Sequence, residues 1–411
     1  MRHNGEHQAP LALIAPAARA IDETLGGAMT DEKKGPGRAI VAAGVSIALM
    51  AILFTGIVIS RDETEYGGFE RNRRVLASPQ YNGGSFVNPN GVTGTLFSRE
   101  SLDVAIEYLL TERVDIQPKV AIPVAKIDPA QWTGLPRNEF KYAWLGHSSV
   151  LIAIDGNLIL ADPVFEERAS PISWMGPKRF HPSPVTAETL PPLDAVLITH
   201  DHYDHLEELT ISKLAGKTGL FLVPLGIGAL LEKWGVPREK IAELDWWEAR
   251  EAGSLTFTAT SAVHYSSRGL FDLNQRLWLS WTITGKEKQL FISGDSGYFG
   301  GFRDIAKKLG PMDVTFLKIG AYNDKGTWRQ LHMTPEEAVA EHMDLSGGQM
   351  VPLHWATFDL ALHSWYEPME RAMTEAKRLG VNIATPKVGQ VVIPDGKGEI
   401  DYWWRSEENP E

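Results

Sequence analysis

The sequence predicts an α/β fold, sheets covered by helices, standing behind one transmembrane helix. Three observations carry this expectation. Short apolar runs at 150–154, 158–161, 195–199, 290–293 and 314–319 have the length and composition of buried strands. Helical patterns with start and stop signals lie between several of them. Ahead of both, residues 39–60 carry no charge and, at about 1.5 Å per residue, would make a helix of roughly 33 Å, long enough to cross a bilayer.

Residues 1–38 mix Ala, Pro, Gly and balanced charge without a clear period, and read as a mobile tail. The stretch 39–60 is apolar all round and sits directly between charged flanks, which suits a membrane span better than a core helix. A cleaved signal peptide would place a shorter apolar region nearer the start. Lys33, Lys34 and Arg38 before the span are matched by Arg61, Arg71, Arg73 and Arg74 after it, so the charge rule nearly ties. The basic cluster ahead of the span favours a single-pass membrane protein with its N-terminus in the cytoplasm and its large domain on the non-cytoplasmic side. Residues 61–100, rich in Gly, Asn, Pro and Ser, are expected to form a linker that wraps onto the surface of a folded domain at 101–411. Within that domain a helix is expected over 335–343, where Thr334 is a good N-cap, Pro335 takes the first helical position and Glu336 and Glu337 fall in the first turn. Another is expected over 370–379, stopped by Gly380.

The 411 residues are 43% hydrophobic, ample for a packed core. A net charge of -12 argues against a broad nucleic-acid footprint. With no cysteine in the chain, disulfides, thiolate metal sites and cysteine nucleophiles are excluded together, and any metal must be held by nitrogen and oxygen.

The decisive segment is Thr199-His200-Asp201-His202-Tyr203-Asp204-His205, delivered to a loop by the apolar run before it. In a locally extended backbone His200 and His202 point the same way, and Asp204 and His205 follow at once for a second ion. Surface packing does not account for three imidazoles and a carboxylate so close together. Two zinc ions need about seven or eight donors with sharing, so further ligands must come from elsewhere. His264, Asp295 and His354 each follow a strand-like run and meet a polar turn. Taken singly, Asp295 could be a turn former and the two histidines structural; beside the first motif they read as ligands. His147 reads as a structural hydrogen-bonder, since enough donors are already assigned. Zinc is favoured by imidazole ligands, although iron or manganese would fit a His/Asp site as well.

The order H-x-H-x-D-H, then His, then Gly-Asp, then His resembles the metallo-β-lactamase superfamily. The resemblance implies a four-layer αββα sandwich, with His200, His202 and His264 on a first zinc ion, Asp204, His205 and His354 on a second, Asp295 bridging, and a hydroxide between the ions as nucleophile. Within that superfamily the chain is similar to the N-acylphosphatidylethanolamine-hydrolysing phospholipases D over roughly 70–404. The matching stretches are Trp144-Leu145-Gly146-His147-Ser148-Ser149, the run LVPLGIGA at 222–229, Glu243-Leu244-Asp245-Trp246-Trp247-Glu248, Gly320-Ala321-Tyr322, the run HMTPEEAV at 332–339, and His354-Trp355. Residues 1–60 lie outside the likeness.

The function this implies is that of a dinuclear zinc hydrolase cleaving the phosphodiester of an N-acyl phosphatidylethanolamine-like phospholipid, with Asp204, Asp295 and His332 as its catalytic residues, and the apolar run 39–60 adds the expectation that it is membrane-tethered. His332 is expected either to hydrogen-bond phosphate or protonate the leaving alcohol, or simply to cap the helix it precedes. Asp204 could relay a proton, although a metal ligand is poorly free to do so. A lactonase or other carboxyl-ester hydrolase is the alternative, since attack on a carbonyl needs the same centre, and a metal-stabilised scaffold without activity is a third. Trp246-Trp247, 278–281 and Trp403-Trp404 suit either a lipid groove or core packing. The partners expected are phospholipid and membrane, without nucleic acid; the sequence is silent on oligomeric state.

Overall fold

The structure is a computed structural model that describes residues 69–92, 113–269, 271–323, 326–394 and 400–405. The tail at 1–38 and the transmembrane helix expected at 39–60 lie outside the described residues. Among those described, no helix is long and apolar enough to cross a membrane.

A short helix, α1 (Phe69–Ala77), leads into a small hairpin of β1 (Tyr81–Asn82) and β2 (Ser85–Phe86). A first sheet follows from β3 (Phe140–Trp144), β4 (Val150–Ile154), β5 (Asn157–Ala161), β6 (Leu193–Leu197), β7 (Thr218–Pro224) and β8 (Ile241–Leu244). Its first three strands run antiparallel and β5 to β8 run parallel. A second sheet holds β9 (Ala249–Ala252), β10 (Leu255–Thr260), β11 (Ser280–Thr284), β12 (Gln289–Ile292), β13 (Val314–Lys318) and β14 (Gln349–Leu353), antiparallel up to β12 and parallel beyond it. The chain then returns through β15 (Val391–Val392), which pairs with β3 at the edge of the first sheet.

Alternation along β4 shows why its run is apolar throughout. Val150, Ile152 and Ile154 join the cluster shared with Phe257, Trp281 and Ile283 of the second sheet. Leu151 and Ala153 point the other way, onto Ile211 and Leu214 of α2 (Glu208–Leu214) and Leu230 and Leu231 of α3 (Gly228–Lys233). A strand covered on both faces needs a continuous rather than an alternating pattern. On the far side of the second sheet lie α4 (Gly301–Leu309), α6 (Pro335–Asp344), which packs on β13, and α7 (Glu367–Leu379), which packs on α6; α5 (Gly326–Leu331) precedes α6. The layers therefore run helix, sheet, sheet, helix.

The expected strand at 150–154 matches β4, and the other runs fall on strands with ends shifted by up to two residues. The run 195–199 overshoots β6 because Thr199 leaves the ladder and gives its N–H and hydroxyl to Asp162. α7 begins at Glu367 rather than at 370, since Pro368 is tolerated in a first turn. Within the stretch expected as a linker, Phe86 is fully buried in the main core. Trp246, Trp278, Trp281 and Trp404 are also buried there, which decides for core packing over a lipid groove at these positions.

Candidate metal centre

Every chemistry-bearing side chain of the centre leaves a strand or helix end on one rim of the sandwich. β6 delivers His200, and the following loop is wound tightly, with the N–H groups of His205 and Leu206 both donating to His202 O. β10, β12 and β14 deliver His264, Asp295 and His354, the β3–β4 turn carries His147, and the join of α5 to α6 carries His332. Gly294 is required before Asp295: its φ is +58°, and a Cβ there would lie 2.6 Å from Cβ of Thr199.

The donors fall into two groups that share Asp295. In the first, His202 Nδ1 lies 3.0 Å from His200 Nε2 and 3.3 Å from His264 Nε2. One proton can serve only one of these two contacts, so three converging ring nitrogens call for a cation. In the second, Asp204, His205 and His354 converge, and His354 Nε2 is 3.3 Å from Asp204 Oδ2. Asp295 stands between the groups, with Oδ1 3.3 Å from His205 Nε2 and Oδ2 3.2 Å from His354 Nε2 and 3.8 Å from His264 Nε2. His332 Nδ1 approaches the same carboxylate at 3.7 Å. All seven sequence-predicted ligands, and His332, thus stand in one cluster.

The outer nitrogens explain what the inner ones can do. His205 Nδ1 faces Asp162 Oδ2 at 2.8 Å and His264 Nδ1 faces Leu331 O at 3.2 Å, both acceptors. Each ring therefore carries its proton outside and turns a lone pair inward, the tautomer of a metal ligand. His205 Nε2, His354 Nε2 and Asp295 Oδ1 are buried without a hydrogen-bond partner, a cost that coordination of an ion removes. Burial, with the neighbouring imidazoles His205 and His202, holds His200 well below the usual imidazole range. Burial alone would raise Asp295, but His354, His205 and Lys318 outweigh it and keep that carboxylate ionised. Burial works against a charge on His205, yet Asp295 and Asp204 outweigh it and raise the ring well above the usual imidazole range, so an inward proton on Nε2 and a metal cation compete for the same carboxylates. Imidazoles, buried carboxylates and unpartnered inward atoms together fit divalent metal ions.

His147 is the hydrogen-bonder expected of it, but it stands closer to the donors than the sequence implied. Its Nε2 is 2.9 Å from Asp204 Oδ2, inside the second group. Supporting residues that the sequence reading missed lie around it. Asp162 sits at the end of β5, a strand end before a polar residue, the same signal that singled out Asp295. Asn88 gives its amide N–H to His264 O and accepts from His264 N–H, at 2.7 and 2.9 Å. Behind the His200–His205 loop, the Arg276 guanidinium bonds Asp201 Oδ2 at 2.8 Å and Asp272 Oδ2 at 2.7 Å, and Arg268 Nη1 donates to the carbonyls of Asp201 and Leu206. Apart from Arg276 and Asp272, four positions apart, nothing local in the sequence pairs these groups.

Comparison with known proteins gives this geometry its family. A β-lactamase superfamily domain matches residues 157–355. An uncharacterized protein of Mycobacterium tuberculosis (strain H37Rv) is 42% identical over 332 residues, 80% of this chain and 88% of that protein. The N-acyl-phosphatidylethanolamine-hydrolyzing phospholipase D 1 of Caenorhabditis elegans is 30% identical over 335 residues, 78% of this chain and 92% of that protein. Among solved structures, one described as a possible metal-dependent hydrolase from Veillonella parvula superposes with a TM-score of 0.51 at 14% identity, covering 62% of this chain and 100% of that one, a likeness of fold. The chain belongs to the metallo-β-lactamase superfamily: it is a metal-dependent hydrolase, related to the N-acylphosphatidylethanolamine-hydrolysing phospholipases D.

Proposed function

We propose that the chain is a phosphodiesterase of the phospholipase D type, hydrolysing an N-acyl phosphatidylethanolamine-like phospholipid with two zinc ions. The observation that carries the reading is Asp295 shared between two imidazole-rich donor groups, in a chain related to an enzyme named for that substrate. His200, His202 and His264 would hold one ion, Asp204, His205 and His354 the other, with Asp295 common to both. Bound divalent ions supply an acidified water at neutral pH and positive charge for phosphoryl oxygens.

The chain's own groups do the rest. His332 sits at the centre's edge with Nδ1 buried and unpartnered. Burial, then Lys318 and His264, keep it well below the usual imidazole range, so it is neutral and suited to donating a hydrogen bond to a phosphoryl oxygen rather than to delivering a full proton. Asp204, ionised and bonded to His147, is committed to holding its ion. The loop between Arg168 and Lys178 carries no charge from 169 to 177 and exposes Trp174 and Met175 at its tip, which suits contact with a lipid surface. The segment 39–60 would tether the enzyme to that surface, with the catalytic domain on the non-cytoplasmic side.

The test is metal content per chain, with hydrolysis of N-acyl phosphatidylethanolamine and of a lactone panel, for the full chain and for Asp295→Asn. About two zinc ions and release of phosphatidic acid with N-acylethanolamine, both lost or sharply reduced in the variant, are expected. Turnover of lactones alone would move the substrate class to carboxyl esters and leave the metal centre standing.

A further inference from the structure

His147 occupies a backbone conformation that a β-carbon disfavours, and it is held there from several sides. Its φ is +51°, in the left-handed region where a non-glycine residue persists only when its surroundings impose it. Its N–H donates to Thr357 Oγ1 at 2.7 Å, and its carbonyl accepts from Trp144 Nε1 at 2.8 Å and from the N–H of His354 at 2.9 Å. The ring is buried, lies 4.0 Å from the His354 ring centroid and meets the edge of Phe358. All of this aims one atom, Nε2, at Asp204 Oδ2, 2.9 Å away.

Asp204 needs such a hold. It is the more exposed of the two carboxylates in the centre, on the loop after β6, and its side chain keeps 16% of its surface open against 2% for Asp295. The other ring nitrogens facing Oδ2 are His354 Nε2 at 3.3 Å and His205 Nε2 at 3.6 Å, and both must keep their lone pairs for an ion. A His147 Nε2–H can donate to Oδ2 without giving up a ligand. It fixes the rotation of the carboxylate on the side where His354 and His205 converge, which an aspartate on a loop could not maintain by itself.

We infer that His147 is a positioning residue of the second metal site, donating from Nε2 to Asp204 and so presenting that carboxylate to the ion. The inference rests on the metal-dependent reading of the centre and is independent of which ester is cleaved. The strained His147 backbone, bound to Thr357, Trp144 and the His354 N–H, makes the placement rigid.

The test is a competition titration of the metal-free full chain with zinc against a chromophoric chelator, which reads the two binding steps separately. In His147→Phe the first step should stay as in the wild type and the second should weaken by about 10–100-fold, the usual effect of removing a group that orients a ligand. His147→Gln, which keeps an N–H donor on a side chain of similar reach, should recover most of that loss. Thr357→Val, which removes the acceptor for the His147 N–H and leaves the imidazole in place, should weaken the second step by less than His147→Phe does. Circular dichroism of the metal-free variants reports folding, and if His147→Phe does not fold, the Gln and Val variants carry the comparison. Unchanged affinities in the variants, or a Gln variant no better than Phe, would overturn the inference. A wild type that takes up no zinc would instead remove the metal reading beneath it.

Discussion

Asp162 touches none of the converging donor atoms, yet it decides how one of them points. Oδ2 accepts from Thr199 Oγ1 at 2.6 Å and faces His205 Nδ1 at 2.8 Å, while Oδ1 accepts from the Thr199 N–H at 2.8 Å. A fully buried carboxylate is tolerable because its oxygens are so bonded. His342, on the helix side of the second sheet, is a buried imidazole of a different kind. Its Nδ1 faces Thr315 Oγ1 at 2.8 Å, and burial pushes its pKa down from 6.5 to about 4. The unfolded chain takes up a proton near pH 6.5 and the folded chain only near pH 4, so this stabilising contribution is complete above pH 6.5 and is lost as pH falls through 4. The loss amounts to about 3 kcal/mol. Urea denaturation of the metal-free protein should therefore fall more steeply between pH 7 and 4 for the wild type than for His342→Gln; parallel curves would contradict the assignment.

At the scale of elements, the join of α5 to α6 sets His332. Thr334 Oγ1 accepts from the Glu337 N–H at 3.4 Å while Glu337 Oε2 accepts from the Thr334 N–H at 3.0 Å, a reciprocal cap. The same Glu337 carboxylate takes two bonds from the Arg329 guanidinium on α5, so one residue ties together the two helices on either side of His332. Thr334→Ala should cost about 1 kcal/mol of stability, measured by urea denaturation, and leave zinc content unchanged. No change in the midpoint would mean the Arg329 pair alone holds the helix start. This cap was legible in the sequence because a helix start is local: Thr334, Pro335 and Glu337 lie within four positions. The early start of α7 was not, since Pro368 marks a first turn only when the preceding chain has already been brought to the helix.

For the whole molecule, the segment 69–92 is a working part of the domain. Phe86 lies in the core, and Asn88 binds both backbone groups of His264 and accepts from Trp278 Nε1 at 3.0 Å. A chain that begins at Phe69 keeps this segment whole. One that begins at 93 loses a buried phenyl ring and leaves polar groups unpaired, a cost of about 3 kcal/mol or more. Thermal denaturation of the two, with zinc content measured alongside, checks this, and equal melting temperatures would show the segment to be dispensable.

What the sequence by itself determined are the features written over short distances or by residue type. His200, His202, Asp204 and His205 declare themselves by spacing within one loop, and His264, Asp295 and His354 by standing at strand ends. The covered sheets follow from runs apolar on both faces, and the absence of cysteine left nitrogen and oxygen as the available donors. Only the tertiary structure decided which groups support those ligands. His147 meets Asp204 across 57 positions, Asp162 meets His205 across 43, and Asn88 meets His264 across 176. The physical reason is that periodicity and capping act between near neighbours along the chain, whereas hydrogen bonds between side chains on different strands exist only once two sheets have packed and brought their ends to the same rim.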